Sequence, residues 1–164
     1  MIQRIQSLFL LVAAIIPIIL LFIPFGYYTI PDAQYVFTSL SLKLNTPGVT
    51  EVELPTYYIA LCLVTCSVLT IIALFSYKNR IRQTQIVSLT MLVFLVTLLL
   101  MLWVCPDIIF KKHFISKGIF DTSAQSFQFN YWILIFVIQA VCLYLANRFI
   151  KKDEALIRSA DRLR

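Results

Sequence analysis

The chain has 164 residues, 60% of them hydrophobic and 13% charged, with a formal net charge of +6 and a mean hydropathy of +0.88. A soluble domain carries about twice that share of charge, so a water-soluble globular fold is excluded. The apolar residues gather in four runs, each near the ~20 residues that cross a ~30 Å hydrocarbon core. The expected fold is an all-α integral membrane four-helix bundle, a single domain over 1–164, with a small β-hairpin cap outside the membrane and a cytoplasmic helical extension at the C-terminus.

The first span is placed at about 5–25. Its apolar run is too long for a signal-peptide core and no small-x-small cleavage site follows, so an uncleaved helix is expected. Pro17 removes one helix hydrogen bond and predicts a kink. Pro24, Phe25, Gly26, Tyr27 and Tyr28 read as a helix stop and an interfacial aromatic belt.

The first outer loop, 26–54, is long for a connection. Residues 35–44 alternate with period two, as do 49–54, around the turn signal Asn45-Thr46-Pro47-Gly48. This pattern predicts one β-hairpin, whose apolar set (Leu40, Leu42, Leu44, Val52, Leu54) needs cover. The second span, 57–77, follows Pro55. Cys62, Cys66, Thr70 and Ala73 form a small-residue face on it, suited to close packing against another helix.

Lys78, Arg80 and Arg82 then mark a short turn, 78–85, and Lys/Arg-rich loops stay in the cytoplasm. With this turn inside, both termini are cytoplasmic. The inner side then holds ten of the fourteen cations against three acids, a net +7, and the outer side four against five, a net −1. An inner (cytoplasmic) bacterial membrane is the expected location, with anionic lipid or an acidic partner surface facing the basic side. No basic stripe with interleaved aromatics points to nucleic acid.

The third span, 86–104, ends at Trp103, and Cys105-Pro106-Asp107 is expected to break it. In the second outer loop, 105–130, the apolar pieces Ile108–Phe110 and Phe127–Phe129 are candidates to add strands or pack on the hairpin. Tyr131 and Trp132 open the fourth span, 131–149. Gln139 lies near its middle, where an amide needs a partner on another helix. The tail, 150–164, has no Gly or Pro, keeps helical spacing at Phe149, Leu156, Ala160 and Leu163, and pairs Glu154 with Arg158 at i,i+4. The fourth helix is therefore expected to continue into the cytoplasm.

Chemistry is sparse. His113 is the single histidine and lacks companions at ligand spacing. Cys62 and Cys66 stand one turn apart, which is neither a redox Cys-x-x-Cys nor disulfide geometry. No Gly-rich phosphate loop or Ser/His/Asp grouping is present, and no ionisable group lies well inside a span, which argues against proton-coupled transport. No catalytic, metal or cofactor site, and no small-molecule substrate, is expected. The tail is the functional candidate: Arg158, Asp161, Arg162, Leu163 and Arg164 have the make-up of a docking helix. Removing everything after Lys152 is expected to leave the fold intact.

The ends of the chain, Met1-Ile2-Gln3-Arg4-Ile5-Gln6 and Lys152 to Arg164, resemble those of a Bacteroidota membrane-protein family, domain of unknown function 4293. The resemblance covers the whole chain and implies an inner-membrane location without an assigned activity. Three function classes are weighed. A non-enzymatic accessory subunit of a secretion, insertion or envelope complex, with a protein partner in the bilayer, is the expectation. The alternatives are a small oligomeric channel or transporter, and a thiol-redox enzyme using Cys105 or His113.

Overall fold

The computed structural model describes residues 2–30, 33–45, 52–116 and 126–162. Helix α1 spans Ile2–Leu20, α2 Tyr57–Phe75, α3 Arg80–Leu99 and α5 Leu134–Arg162. They form a ring in which α1 packs on α2 and α5, and α3 packs on the same two neighbours. Strands β1 (Gly26–Ile30), β2 (Ala33–Phe37), β3 (Ser41–Leu44), β4 (Val52–Pro55) and β5 (Ser126–Phe129) close one end of the ring.

Three helical stretches are long and apolar enough to cross a membrane: Tyr57–Phe75, Arg80–Ile115 and Tyr131–Leu156. The apolar part of α1, Gln6–Leu20, is shorter. Each outward helix face is a continuous apolar surface, with Leu11, Ile15, Leu61, Val68, Leu92, Leu95, Leu134 and Val137 all exposed. Water would penalise so large a patch; lipid covers it at no such cost, and the chain is a membrane protein. Tyr57, Trp103, Tyr131 and Trp132 project outward at the sheet end and Tyr77 at the other. From Tyr57 to Phe75 α2 rises ~27 Å, close to the ~30 Å thickness of a hydrocarbon core.

Leu10, Ala73, Val87, Ala146 and Ile150 form a buried apolar cluster contributed by all four helices of the ring, with Ala73 and Ala146 as its small members. Four helix contacts also carry a polar clasp. Ser67 donates to the Ala14 carbonyl (2.9 Å), Gln83 to that of Ala73 (3.1 Å), Gln139 to that of Ala13 (2.9 Å) and Asn147 to the Met91 sulfur (3.7 Å).

The Gln139 clasp has a specific origin. Pro17 has no N–H, so the carbonyl four residues earlier, Ala13, is left without its helix partner. The Gln139 amide supplies the missing donor from α5, as neighbouring helices do for prolines in membrane helices. We expect Gln139→Leu to cost about 1 kcal/mol. That cost should shrink sharply in a Pro17→Ala background, where α1 can satisfy Ala13 itself. A thermal-unfolding double-mutant cycle in detergent checks this; equal costs in both backgrounds would refute the link.

Three local expectations are corrected. First, the cap is a five-stranded antiparallel sheet of order β4-β3-β2-β1-β5. The alternating stretch 35–44 is two strands. Thr38 turns the chain between them: its hydroxyl donates to the Ser41 carbonyl (2.8 Å) and accepts from the Ser41 amide (3.2 Å). The turn changes the buried parity, so Tyr35 and Phe37 are buried on β2 but Leu42 on β3, while Leu40 is exposed at the turn. Second, Gly26–Ile30 is strand β1, paired with both β2 and β5, and Tyr28 is buried beneath it. Gly26 lets β1 approach β5, since a Cβ there would sit 2.5 Å from the Gln128 carbonyl oxygen. Third, Pro106 does not end the helix. Residues Leu100–Phe110 form a π-helical segment that runs on into α4, Lys111–Ser116. A wider helix is one way to accommodate a residue with no N–H. Of the two apolar pieces in this region, Phe127–Phe129 joins the sheet as β5, whereas Ile108–Phe110 stays helical. The predicted turn at Thr46-Pro47-Gly48 lies outside the described residues.

The cap is joined to the bundle by aromatic rings. Tyr28 stacks on Phe114 (5.3 Å) and meets Phe110 edge-on (5.5 Å), while Phe37 meets Phe110 at 5.0 Å. Phe25 continues the contact through Phe136 (5.8 Å) to Phe94 (6.0 Å), which carries the core from the sheet into the bundle. Buried Thr56, between β4 and α2, binds the Thr38 carbonyl with its hydroxyl (3.0 Å) and the Leu40 carbonyl with its amide (2.9 Å).

Candidate functional site

Ionisable chemistry inside the described bundle concentrates at the end opposite the sheet. There α2 stops at Phe75 and α3 begins at Arg80, earlier than the expected Ile86. Asn79 sets this start, its side chain accepting a hydrogen bond from the Arg82 amide (3.3 Å), as N-cap residues do. The early start puts the first helical turn of α3, rather than loop, against its neighbours. Arg80 and Gln83, three apart, therefore share one face.

Opposite them, Ala146, Ile150 and Asp153 follow one another on the inward face of α5, all buried. Asp153 receives two partners. The Arg80 guanidinium lies 3.2 Å from its Oδ2, and the Gln6 amide of α1 donates to the same oxygen. A single carboxylate thus joins α1, α3 and α5. A buried charge is tolerable only when paired and hydrogen-bonded, and this junction provides both. A cavity of about 100 Å³ opens beside it, lined by Gln6, Ser7, Tyr77, Arg80 and Gln83.

The other candidate residues are distributed as follows. On α2, Cys66, Thr70 and Ala73 are buried and Cys62 half-buried. Thr70 donates to its own helix at the Cys66 carbonyl (2.6 Å). Gln139 is fully buried against α1. Cys105, expected near the outer surface, is buried, its sulfur 3.2 Å from the Tyr58 hydroxyl. His113 is half-buried on α4, its ring edge-on to Phe114 at 5.5 Å. All four cysteines are free thiols. Among the described residues, no three of His, Cys, Asp and Glu are grouped to hold a metal ion.

Arg158, Asp161 and Arg162 lie on the last turns of α5, which is helical to Arg162; Leu163 and Arg164 fall outside the described residues. The sequence reading placed weight on this tail and missed the junction at its root. Asp153 counted only as one of the acids of the basic side. The available signal was its spacing from Ala146 and Ile150, which puts it on the buried stripe.

The family model for the domain of unknown function DUF4293 matches residues 2–163, and the chain belongs to that family. No curated protein matches the chain.

Proposed function

We propose that this member of the family is a non-enzymatic accessory subunit of a larger complex in a bacterial inner membrane. In this reading it crosses the bilayer four times, with both termini and the 78–85 segment in the cytoplasm, and docks through its basic cytoplasmic face. α1 would be the fourth span, its short apolar part flanked by α2 and α5. The distribution of Lys and Arg supports the orientation.

The observation that carries the docking role is the attachment of α5. The helix runs unbroken from Leu134 to Arg162, and Asp153 is held where it passes Arg80 and Gln6. Lys151 and Lys152 are exposed there. The turns beyond, with Arg158, Asp161 and Arg162, continue a helix whose root is fixed. A preordered helix loses less entropy on binding than a loose tail.

The test follows from that geometry. A cut after Lys152 would remove Asp153, so the informative truncation ends at Leu156 and keeps the junction. The tagged full chain, extracted in gentle detergent at native expression, should recover a membrane partner identified by mass spectrometry. The chain ending at Leu156 should fold with unchanged thermal stability and lose that partner at least about tenfold. Equal recovery by both would sink the docking role. A protease that trims α5 in inside-out but not right-side-out vesicles checks the orientation.

A further inference from the structure

Next to the cavity beside the junction lies an open groove on the outer surface of the bundle. This groove, of about 440 Å³, is lined by Ser7, Leu8, Leu11, Leu74, Phe75 and Tyr77. Ser7 and Tyr77 line both spaces, so a polar chamber and an apolar channel share a wall between α1 and α2. We propose that this pair of cavities is a binding site for one anionic glycerophospholipid, with its phosphate in the chamber and an acyl chain along the groove.

Three features of the site select that occupant. The chamber is phosphate-sized, and its lining includes the Arg80 guanidinium, the Tyr77 hydroxyl, and the Gln6 and Gln83 amides, each of which carries a second N–H beyond its bond to Asp153 or Ala73. Arginine presents five N–H groups in a planar fork that suits phosphate. Its contact with Asp153 engages Nη1, and the remaining donors of the fork are not required by that contact. The Arg80–Asp153 pair is neutral overall, and exposed Lys78 and Arg82 add positive charge at the same end of the bundle. The groove, by contrast, is apolar apart from Ser7 and Tyr77 and falls within the ordinary size of ligand pockets, ~300–1,000 Å³. The level is also right. Tyr77 follows the end of α2, a helix that rises ~27 Å from Tyr57, so chamber and groove meet where headgroup would meet hydrocarbon. A water-soluble anion would satisfy only the chamber, and a neutral lipid only the groove.

This site is separate from the docking turns of α5, and the two stand or fall independently. Native mass spectrometry of the full chain in detergent tests it, with phosphatidylglycerol, phosphatidylethanolamine and inorganic phosphate as probes. The expected result is retention of one phosphatidylglycerol, at least about tenfold in preference to phosphatidylethanolamine, as befits a charge-assisted contact. Leu11→Trp fills the groove from an exposed position and leaves the junction untouched; it should reduce retention about tenfold with unchanged melting. The paired change Arg80→Gln with Asp153→Asn keeps a neutral contact between the helices and should abolish the preference for the anionic lipid. Equal retention of both lipids by the native chain overturns the proposal. So does inorganic phosphate binding that lipid does not displace, a chain that carries a second copy in place of lipid, or a Leu11→Trp variant that binds as the native chain does.

Discussion

Truncating Phe110 to alanine should destabilise the protein by about 3–5 kcal/mol, the range for removing a fully buried aromatic ring. Phe110 has no exposed surface and stands at the end of the π-helical segment, where the bundle meets the sheet. It touches Tyr28 of β1, Phe37 of β2 and Phe127 of β5, with ring centroids at 5.5, 5.0 and 6.5 Å. No other described ring bridges these three strands from the helical side. A sheet this small has little core of its own, so the void would loosen the whole cap. Phe110→Leu, which keeps most of the volume, should cost well under half as much. Denaturant unfolding in detergent, followed by the fluorescence of Trp103 and Trp132 near the sheet end, measures both variants. A Phe110→Ala protein as stable as the native chain would mean that the sheet is held by other contacts.

The second large effect is an asymmetry at the junction. The Arg80 side chain is 22% exposed and that of Asp153 only 7%. Replacing Asp153 by leucine leaves a guanidinium that can swing its long stem toward water or lipid headgroups. Replacing Arg80 by methionine leaves a carboxylate in the bundle beside the Gln6 amide, and it has no stem on which to escape. Breaking a buried pair costs about 3–5 kcal/mol when the remaining charge is trapped. Arg80→Met should approach about 3 kcal/mol and Asp153→Leu should stay nearer 1 kcal/mol. The double variant should recover most of the loss, because a packed apolar pair can replace a buried ion pair with little cost. Thermal melts of the three proteins in one detergent decide it; a double variant as weak as Arg80→Met would contradict this account.

The three long apolar helices were legible because their signal is compositional: a run of ~20 apolar residues needs no knowledge of its neighbours. Element boundaries depended on subtler chemistry. Pro106 reads as a helix break on local rules, yet the backbone widens into a π-helix and continues. The turn at Thr38 was hidden because it uses a threonine hydroxyl, with neither Gly nor Pro to mark it. Gly26 and Tyr28 read as an interfacial belt, since β1 gains its meaning only from β2 and β5, the latter nearly a hundred residues on. The junction was the least legible feature. Gln6, Arg80 and Asp153 lie far apart in the chain, and none has an i,i+4 partner pattern that announces the others. Their grouping is a product of the ring of helices, which places the start of α1, the start of α3 and the late turns of α5 at one end.

The continuity of α5 has a mechanical consequence. Its 29 residues contain no glycine or proline, so the rod, ~43 Å long, offers no built-in hinge. It is held at several heights, among them Phe136 against Phe25 beneath the sheet, Gln139 on Ala13 in α1, Asn147 on Met91 in α3, and Asp153 on Arg80 and Gln6 at the far end. A torque applied to the last turns of such a rod is not absorbed where it enters. A load on those turns would pass along the rod to the contact of Phe136 with Phe25 and reach the sheet as a tilt.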